Sequence, residues 1–346
     1  MNITIYEDSG WKRLLPLVYT RPACELLLGQ ESLRERVLRV INREAAISLS
    51  TRQEIAHTVA LRSGLMVNEP IPAKMLFING RAFCREMPVS EDDGSSWVGL
   101  CRGQIACIQA DASLAGQLTS EIFLNDAKLN AAVEGLPTRD VEDRLQLLDY
   151  HWDFVNANEE ALLDDWKWTS AGIHGKVDPG SHLLNESSIH LGQGSRVMPQ
   201  CVIDAEAGPV VIAEDVTVRP QSYIQGPCFI GEKALVQPVS MIRENTSIGP
   251  VCKVGGEIEG TIILGYSNKQ HHGFLGHSYI GEWVNIGAGC TNSDLKNTYG
   301  NVRSPINGIE VDTGQTFVGA VIGDHSKLGI NCTVPTGAVI GFSSNV

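Results

Sequence analysis

Aliphatic residues recur every six positions through the C-terminal half of the chain, at Ile212, Val218, Ile224, Ile230, Val236, Ile242, Ile248 and Val254. The same register occurs earlier at Leu191, Val197 and Ile203, and returns at Ile280, Ile286, Ile322, Leu328, Val334, Ile340 and Val346. Four residues after most of these stands a small side chain, as at Ser195, Cys201, Ser222, Cys228, Ala234, Ser240, Cys252, Cys290, Ser326 and Cys332. A period of six belongs neither to a helix nor to a simple half-buried strand. It suits a triangular coil in which each hexad supplies one short strand and one corner, and three hexads complete a turn. The aliphatic fills the interior, and the small residue sits where the corner leaves no room. Gly directly after the aliphatic, as in Ile230-Gly231, Ile248-Gly249 and Ile286-Gly287, suits a tight corner. The period predicts a parallel β-helix from about Leu191 onward without fixing its handedness.

The register breaks between Val254 and Ile280, and again between about Asn292 and Thr316. Insertions in a solenoid map to surface loops, where function usually sits, so both stretches are candidate site loops. Val346 is itself an interior-register aliphatic, and a repeat array normally closes with a polar cap. Further residues, or an assembly contact, are therefore expected over that end. The N-terminal half has a different pattern. Ile3–Tyr6, Ala46–Ser50, Met75–Asn79 and Gln104–Gln109 read as strands, with an alternating run beginning at Met1. Glu31–Asn42 and Ala112–Asn130 read as amphipathic helices. This alternation predicts an α/β domain over residues 1–165 and a coil domain over 166–346.

Composition narrows the function classes. The net charge of −13 and the lack of a Lys/Arg run argue against nucleic acid as a partner. No stretch approaches the roughly 18 uninterrupted apolar residues of a membrane span, so no membrane partner is expected. Nine cysteines with no CxxC pair point to neither a disulfide framework nor a zinc site, and the expectation is a cytoplasmic protein with reduced thiols and no metal held by cysteine. Five of them, Cys201, Cys228, Cys252, Cys290 and Cys332, fall on the small-residue positions of the hexads.

The L/I/V-G-x-x-small-x hexads resemble the hexapeptide acyltransferase family, whose coils are left-handed and assemble as homotrimers. Within the two broken stretches the resemblance sharpens. Gly276-His277-x-Tyr279-x-Gly281, then Val284-Asn285-Ile286-Gly287-Ala288-Gly289 and Thr291-Asn292, is similar to the acetyltransferase half of the bifunctional glucosamine-1-phosphate acetyltransferase / N-acetylglucosamine-1-phosphate uridyltransferase family. The resemblance implies an acetyl-CoA-dependent transfer to an amino sugar or its phosphate, as in the making of UDP-N-acetylglucosamine. It makes His277 the general base, an apt role for an imidazole near neutral pH. Tyr279 and Asn285 would contact the sugar, and Ala288 and Asn292 the acetyl-CoA. Ala320 and Ile330 would flank its pantetheine arm. His271 and His272 read as solvated loop residues. Glu257-Ile258-Glu259 falls where the family has Glu-x-Lys, which leaves Glu257 but puts an acid in place of the lysine that meets the sugar phosphate. Lys269 is the nearest substitute for that charge.

Leu15-Pro16-Leu17-Val18-Tyr19-Thr20-Arg21-Pro22, Asn79-Gly80-Arg81 and Tyr150-His151-Trp152 resemble a bacterial branch of sugar nucleotidyltransferase-like proteins fused to such a coil, which makes the N-terminal domain a reduced, Rossmann-type nucleotidyltransferase-like unit. There is no Gly-x-Gly-Thr-Arg loop after the first strand, and Arg81 stands where the family's Asn-Gly-Asp has a metal-binding carboxylate. A cation there repels Mg²⁺. Mg²⁺ is thus expected only if this half turns over a nucleotide. Arg21 and Arg81 are candidates for holding an anionic nucleotide, either for uridylyl transfer or for binding without catalysis in a trimeric scaffold.

Overall fold

The computed structural model describes residues 2–41, 46–69, 73–88 and 95–346. Met1 and Asn42, which the sequence reading placed in the first strand and first helix, lie outside the described residues. The chain divides into two compact units. One runs up to Leu14 and adds Val18–Leu26 and Glu31–Asp149, and the other comprises Leu15–Leu17, Leu27–Gln30 and Tyr150–Val346.

The N-terminal unit is α/β around a seven-stranded mixed sheet. At its centre Asn2–Tyr6 runs parallel to Ala46–Ser50 on one side and to Met75–Asn79 on the other. Gln104–Ala110 then pairs antiparallel with both Met75–Asn79 and Trp97–Cys101. Arg102 and Gly103, at φ 50° and 76°, make the two-residue hairpin turn that matches strand twist. Ile3, Ile5, Leu76 and Ile78 are buried in the centre of the sheet. The predicted helix Ala112–Asn130 is three short ones, Ala112–Ala115, Ser120–Phe123 and Asp126–Ala132. The apolar spacing is right, but Gly116 caps the first, and the Asn125 side chain accepts from the Lys128 N–H to start the third.

The C-terminal unit is a left-handed parallel β-helix beginning at Gly172. A first face of nine strands runs from Gly172–Ile173 to Val339–Ile340, and a second of eight from Lys176–Val177 to Lys327–Leu328. The third has six strands from His182–Leu184 to Phe274–Gly276, followed by the paired Thr291–Asn292 and Thr333–Val334. Strands are two or three residues long because each hexad must also turn a corner. Residues such as Ile212, Val218, Ile224, Ile230 and Val236 are fully buried, each contributing about 1.5–3 kcal/mol through removal from water. The small residues do more than fill corners. Ser195 Oγ donates to the Ala213 carbonyl of the next coil and accepts from the Val216 N–H, and Ser267 does the same with Gly281 and Val284. The residue before most of these corner positions lies in the left-handed region, as at Gln221, Lys233, Val239, Val251, Tyr266, His277, Trp283 and His325. Gly249 answers a different need. A Cβ there would stand 2.7 Å from the Gly265 nitrogen one coil on.

The two breaks in the period have different physical origins. Between Val254 and Ile280 the coil never leaves its track. Ile258 pairs with Ile242, Ile263 with Ile248, Lys269 with Val254 and Leu275 with Ile258, so the interior file is continuous. Corners are shortened here and one interior position is a lysine, which is why the stretch read as a loop. The second break is a true insertion. It carries the hairpin Arg303–Ile306 with Ile309–Asp312, turned at Asn307-Gly308 with φ 50° and 81°. Val302, Ile306 and Val318 pack with Trp152 in a small core of their own.

Trp152 belongs to the helix His151–Trp166, which groups with the coil. Asn158 in that helix is fully buried, donates to the Asn245 carbonyl and Ser247 Oγ at 2.9 and 3.0 Å, and accepts from the Gly29 N–H. The division placed at 165/166 follows the start of the coil's strands, whereas by packing the compact unit begins at Tyr150.

Candidate functional site

His277 turns the corner between Phe274–Gly276 on the third face and Tyr279–Ile280 on the first. Its φ is 46°, and its side chain is 26 % exposed. Nδ1 lies 2.8 Å from Oδ2 of Asp294. A carboxylate only accepts, so Nδ1 carries the proton and donates it, leaving the lone pair on Nε2. The Phe317 ring stacks on the imidazole with centroids 5.3 Å apart. The backbone is fixed as firmly, since the His277 N–H donates to the Glu259 carbonyl and the Gly319 N–H donates to the His277 carbonyl. At Gly276 a Cβ would stand 2.5 Å from the Asp294 carboxylate and against the Phe274 ring, so any larger residue displaces the side chains around His277.

The other predicted contacts fall in several places. Tyr279 is fully buried, donates from its hydroxyl to the Leu27 carbonyl at 2.9 Å, and meets the edge of Phe154. It anchors chain and helix against the coil and does not face a sugar. Asn292 occupies an interior-register position beside Val334, accepts from the Gly276 N–H at 2.9 Å and donates to its carbonyl at 3.0 Å. Its amide thereby braces the strand leading into His277. Ala320 is also in the core. Asn285 is exposed on the second face. Ala288 and Ile330 stand on successive coils at the corner between the second and third faces, where the Asn331 N–H donates to the Ala288 carbonyl; Ile330 is 73 % exposed.

Lys269 does not offer its charge to a ligand. It points into the coil, 3 % exposed, and Nζ donates to the carbonyls of Gly255, His271 and Gly273 at 2.8–2.9 Å. Burial pushes its pKa down to about 8. Below that pH the ammonium is charged in both folded and unfolded chains; above it the fold sheds the proton while the unfolded chain keeps it to about 10.4. Stability should therefore rise between about pH 8 and 10.4, by about 1.4 kcal/mol per unit. Urea unfolding of the wild type and Lys269→Met at pH 7.5 and 9.5 checks this, and equal pH responses in the two proteins would refute it.

Glu257 and Glu259 share the third-face strand one coil before His277, with the Arg243 guanidinium 3.9 and 3.4 Å from their carboxylates. Arg243 also pairs with Glu244. Arg243, Asp294 and Phe317 are what the sequence reading missed. Asp294 lies seventeen positions after His277, one coil further on, and only the stacking of coils makes the two neighbours.

In the N-terminal unit, Arg21 is buried with its carbonyl near Arg52, away from solvent. Arg81 is also buried, and is saturated by carboxylates. Nε and Nη2 donate to the two oxygens of Asp8 at 2.8 and 2.6 Å, and Nη1 donates to Asp149 at 2.5 Å. Neither arginine offers an open cationic site to a nucleotide. A divalent cation does not fit this donor set either. Asp8 also accepts from Asn79 and the Gly10 N–H, Asp149 also from Gln104 and Arg13, so the carboxylate lone pairs Mg²⁺ needs are taken by N–H donors around a fixed positive charge. Among the described residues no group of three or more His, Cys, Asp or Glu is placed to hold a metal.

Residues 3–173 match the sugar nucleotidyl transferase family model. The chain is 34% identical over 141 residues to a bifunctional sugar-1-phosphate nucleotidylyltransferase/acetyltransferase of Sulfurisphaera tokodaii, covering 40% of this chain and 35% of that protein. It is 28% identical over 245 residues to the bifunctional protein GlmU of Acidithiobacillus ferrooxidans, covering 70% and 50%. With GlmU of Heliobacterium modesticaldum the figures are 27% over 221 residues, covering 58% and 48%. The chain thus spans a third to a half of the length of these relatives. Its first half is a sugar nucleotidyl transferase family domain, and with its coil the chain is similar to the bifunctional nucleotidylyltransferase/acetyltransferase family.

Proposed function

We propose that this protein is an acetyl-CoA-dependent N-acetyltransferase acting on an amino sugar or its phosphate, in the formation of UDP-N-acetylglucosamine-type sugar nucleotides. The observation that carries this reading is the His277–Asp294 pair. Acetyl-CoA supplies an acyl group already activated as a thioester. Nε2 of His277 takes the proton from the sugar amine as its nitrogen bonds to the acyl carbon, and returns it to the sulfur as the C–S bond breaks. Asp294 holds the imidazole in the required tautomer and supports the imidazolium that forms. Glu257 and Glu259, close by, attract an ammonium, and Arg243 among them offers the phosphate of a sugar phosphate a partner only by leaving its carboxylates.

The apolar Ala288–Ile330 strip fits the pantetheine arm, yet it stands at the opposite edge of the third face from His277. A neighbouring subunit brings the two edges together, so the reading includes a homotrimer with sites between subunits. It also includes a cytoplasmic setting, in keeping with thiols rather than disulfides at all nine cysteines. No helix among the described residues is long and apolar enough to cross a membrane.

Coenzyme A release should be measured with glucosamine and glucosamine 1-phosphate. Turnover with either is expected, and none with any amino sugar would end the proposal. Mixing inactive His277→Ala and Ile330→Glu chains should restore activity that neither has alone, as a shared site requires. The alternative of a second activity, uridylyl transfer from UTP, rests on the match of residues 3–173 alone; the carboxylates bound by Arg81 stand against it, and Mg²⁺-dependent pyrophosphate release is the result that would restore it.

A further inference from the structure

The N-terminal unit holds a polar cleft of about 210 Å³, beside the ends of Asn2–Tyr6 and Met75–Asn79, with Ser9, Gln104, Asp126 and Asn130 on its walls and Arg81 at its base. This volume lies below the roughly 300–1,000 Å³ typical of pockets that enclose drug-sized ligands. It is small for a nucleoside triphosphate and suited to a single ring. Its charge points the same way. The arginines that line it, Arg13 and Arg81, are both bound to carboxylates, and Asp126 adds an acid that accepts from Ser9 Oγ at 2.6 Å. Burial alone would weaken the Arg81 charge, but Asp8 and Asp149 reverse this and hold it firmly protonated. Asp8 responds in kind: burial works to raise its pKa, and the hydrogen bonds from Arg81 overcome that and keep it ionised.

We propose that Arg81 is a permanent internal cation standing in place of a divalent metal, and that the cleft above it binds an uncharged polyhydroxylated ring without Mg²⁺ and without accepting a triphosphate. Asp8 and Asp149 balance the charges of Arg81 and Arg13, and the Arg81 guanidinium fixes the Asp8 carboxylate in the lining of the cleft. A ligand there meets Oδ2 of Asp126 and the Asn130 amide, groups suited to hydroxyls. A polyphosphate meets carboxylates with no uncompensated positive charge, and is repelled.

Three measurements on the full chain test this. Water-proton relaxation during Mn²⁺ titration should show no bound Mn²⁺. Calorimetry with N-acetylglucosamine should give the same Kd in EDTA and in Mg²⁺, with no binding of UTP in either. Asp126→Ala should weaken sugar binding about tenfold, while coenzyme A release from the coil site stays unchanged. Stoichiometric Mn²⁺ binding abolished by Asp8→Asn would overturn the proposal, as would Mg²⁺-dependent UTP binding. Sugar affinity unmoved by Asp126→Ala would place the sugar elsewhere and overturn it too. The Mn²⁺, UTP and sugar binding readouts do not depend on acetyl transfer, so failure here and failure of the acetyltransferase reading are separable.

Discussion

His277→Ala is expected to lower coenzyme A release by about 10²–10⁴-fold, the usual worth of a positioned general base. The loss should fall on kcat, with KM for acetyl-CoA nearly unchanged, because the imidazole acts on the amine proton and makes no part of the apolar strip at Ala288 and Ile330. Asp294→Asn should cost about 10²-fold. An amide there is free to turn its N–H₂ toward Nδ1, which shifts the ring proton to Nε2 and removes the acceptor the reaction needs. In Asp294→Asn, Phe317 and the Gly276 strand still hold the ring, and His277→Ala removes a partly exposed side chain, so the thermal transition should move little in either variant. Equal rates in wild type and His277→Ala would remove this residue from the chemistry.

Acid should destabilise the C-terminal unit through His151. This residue is 1 % exposed, neither ring nitrogen has a hydrogen-bond partner among the described residues, and the ring rests edge-on against Trp152. Burial pushes its pKa down to about 3, against about 6.5 in an unfolded chain. Above pH 6.5 the ring is neutral in both states. As pH falls from there toward 3, the unfolded chain gains a proton the fold refuses, and stability drops by about 1.4 kcal/mol per unit. Near pH 4.5 the loss should be about 3 kcal/mol by the same arithmetic. His151→Phe removes the titrating group without orphaning a hydrogen bond. Urea unfolding at pH 7 and 4.5 should show the wild type losing more than the variant, and parallel losses would sink the assignment.

The coil was legible because an interior position facing two coils and two neighbouring walls admits almost nothing but an aliphatic. The same logic explains the misreading of residues 255–279. Lys269 interrupts the apolar file, and corners shortened to bring Ile258 and Ile263 into line hide the period. Asn292 sits in that file too, and resemblance gave it a ligand to hold when its amide is spent on Gly276. The Asn307-Gly308 pair is a strong hairpin signal that the reading passed over. His277 stood out in its glycine-flanked motif, whereas Asp294 had no local mark, since its partnership exists only once coils are stacked. Arg81 was legible as a departure from the family's carboxylate, but its two carboxylate partners, far away in sequence, were not.

Lys233, Val251, Tyr266, Trp283 and His325 share with His277 the left-handed corner backbone, and each directly precedes a residue that packs inside. The conformation at His277 is therefore not a distortion invented for chemistry; the repeat imposes it whatever side chain is present. Such a scaffold is a rack of identical sockets, each already shaped to hold a side chain at a corner beside the strand of the next coil. Changing one socket from inert to reactive needs only a side chain and a partner one coil away. That modularity offers a route to new specificities that leaves the core untouched.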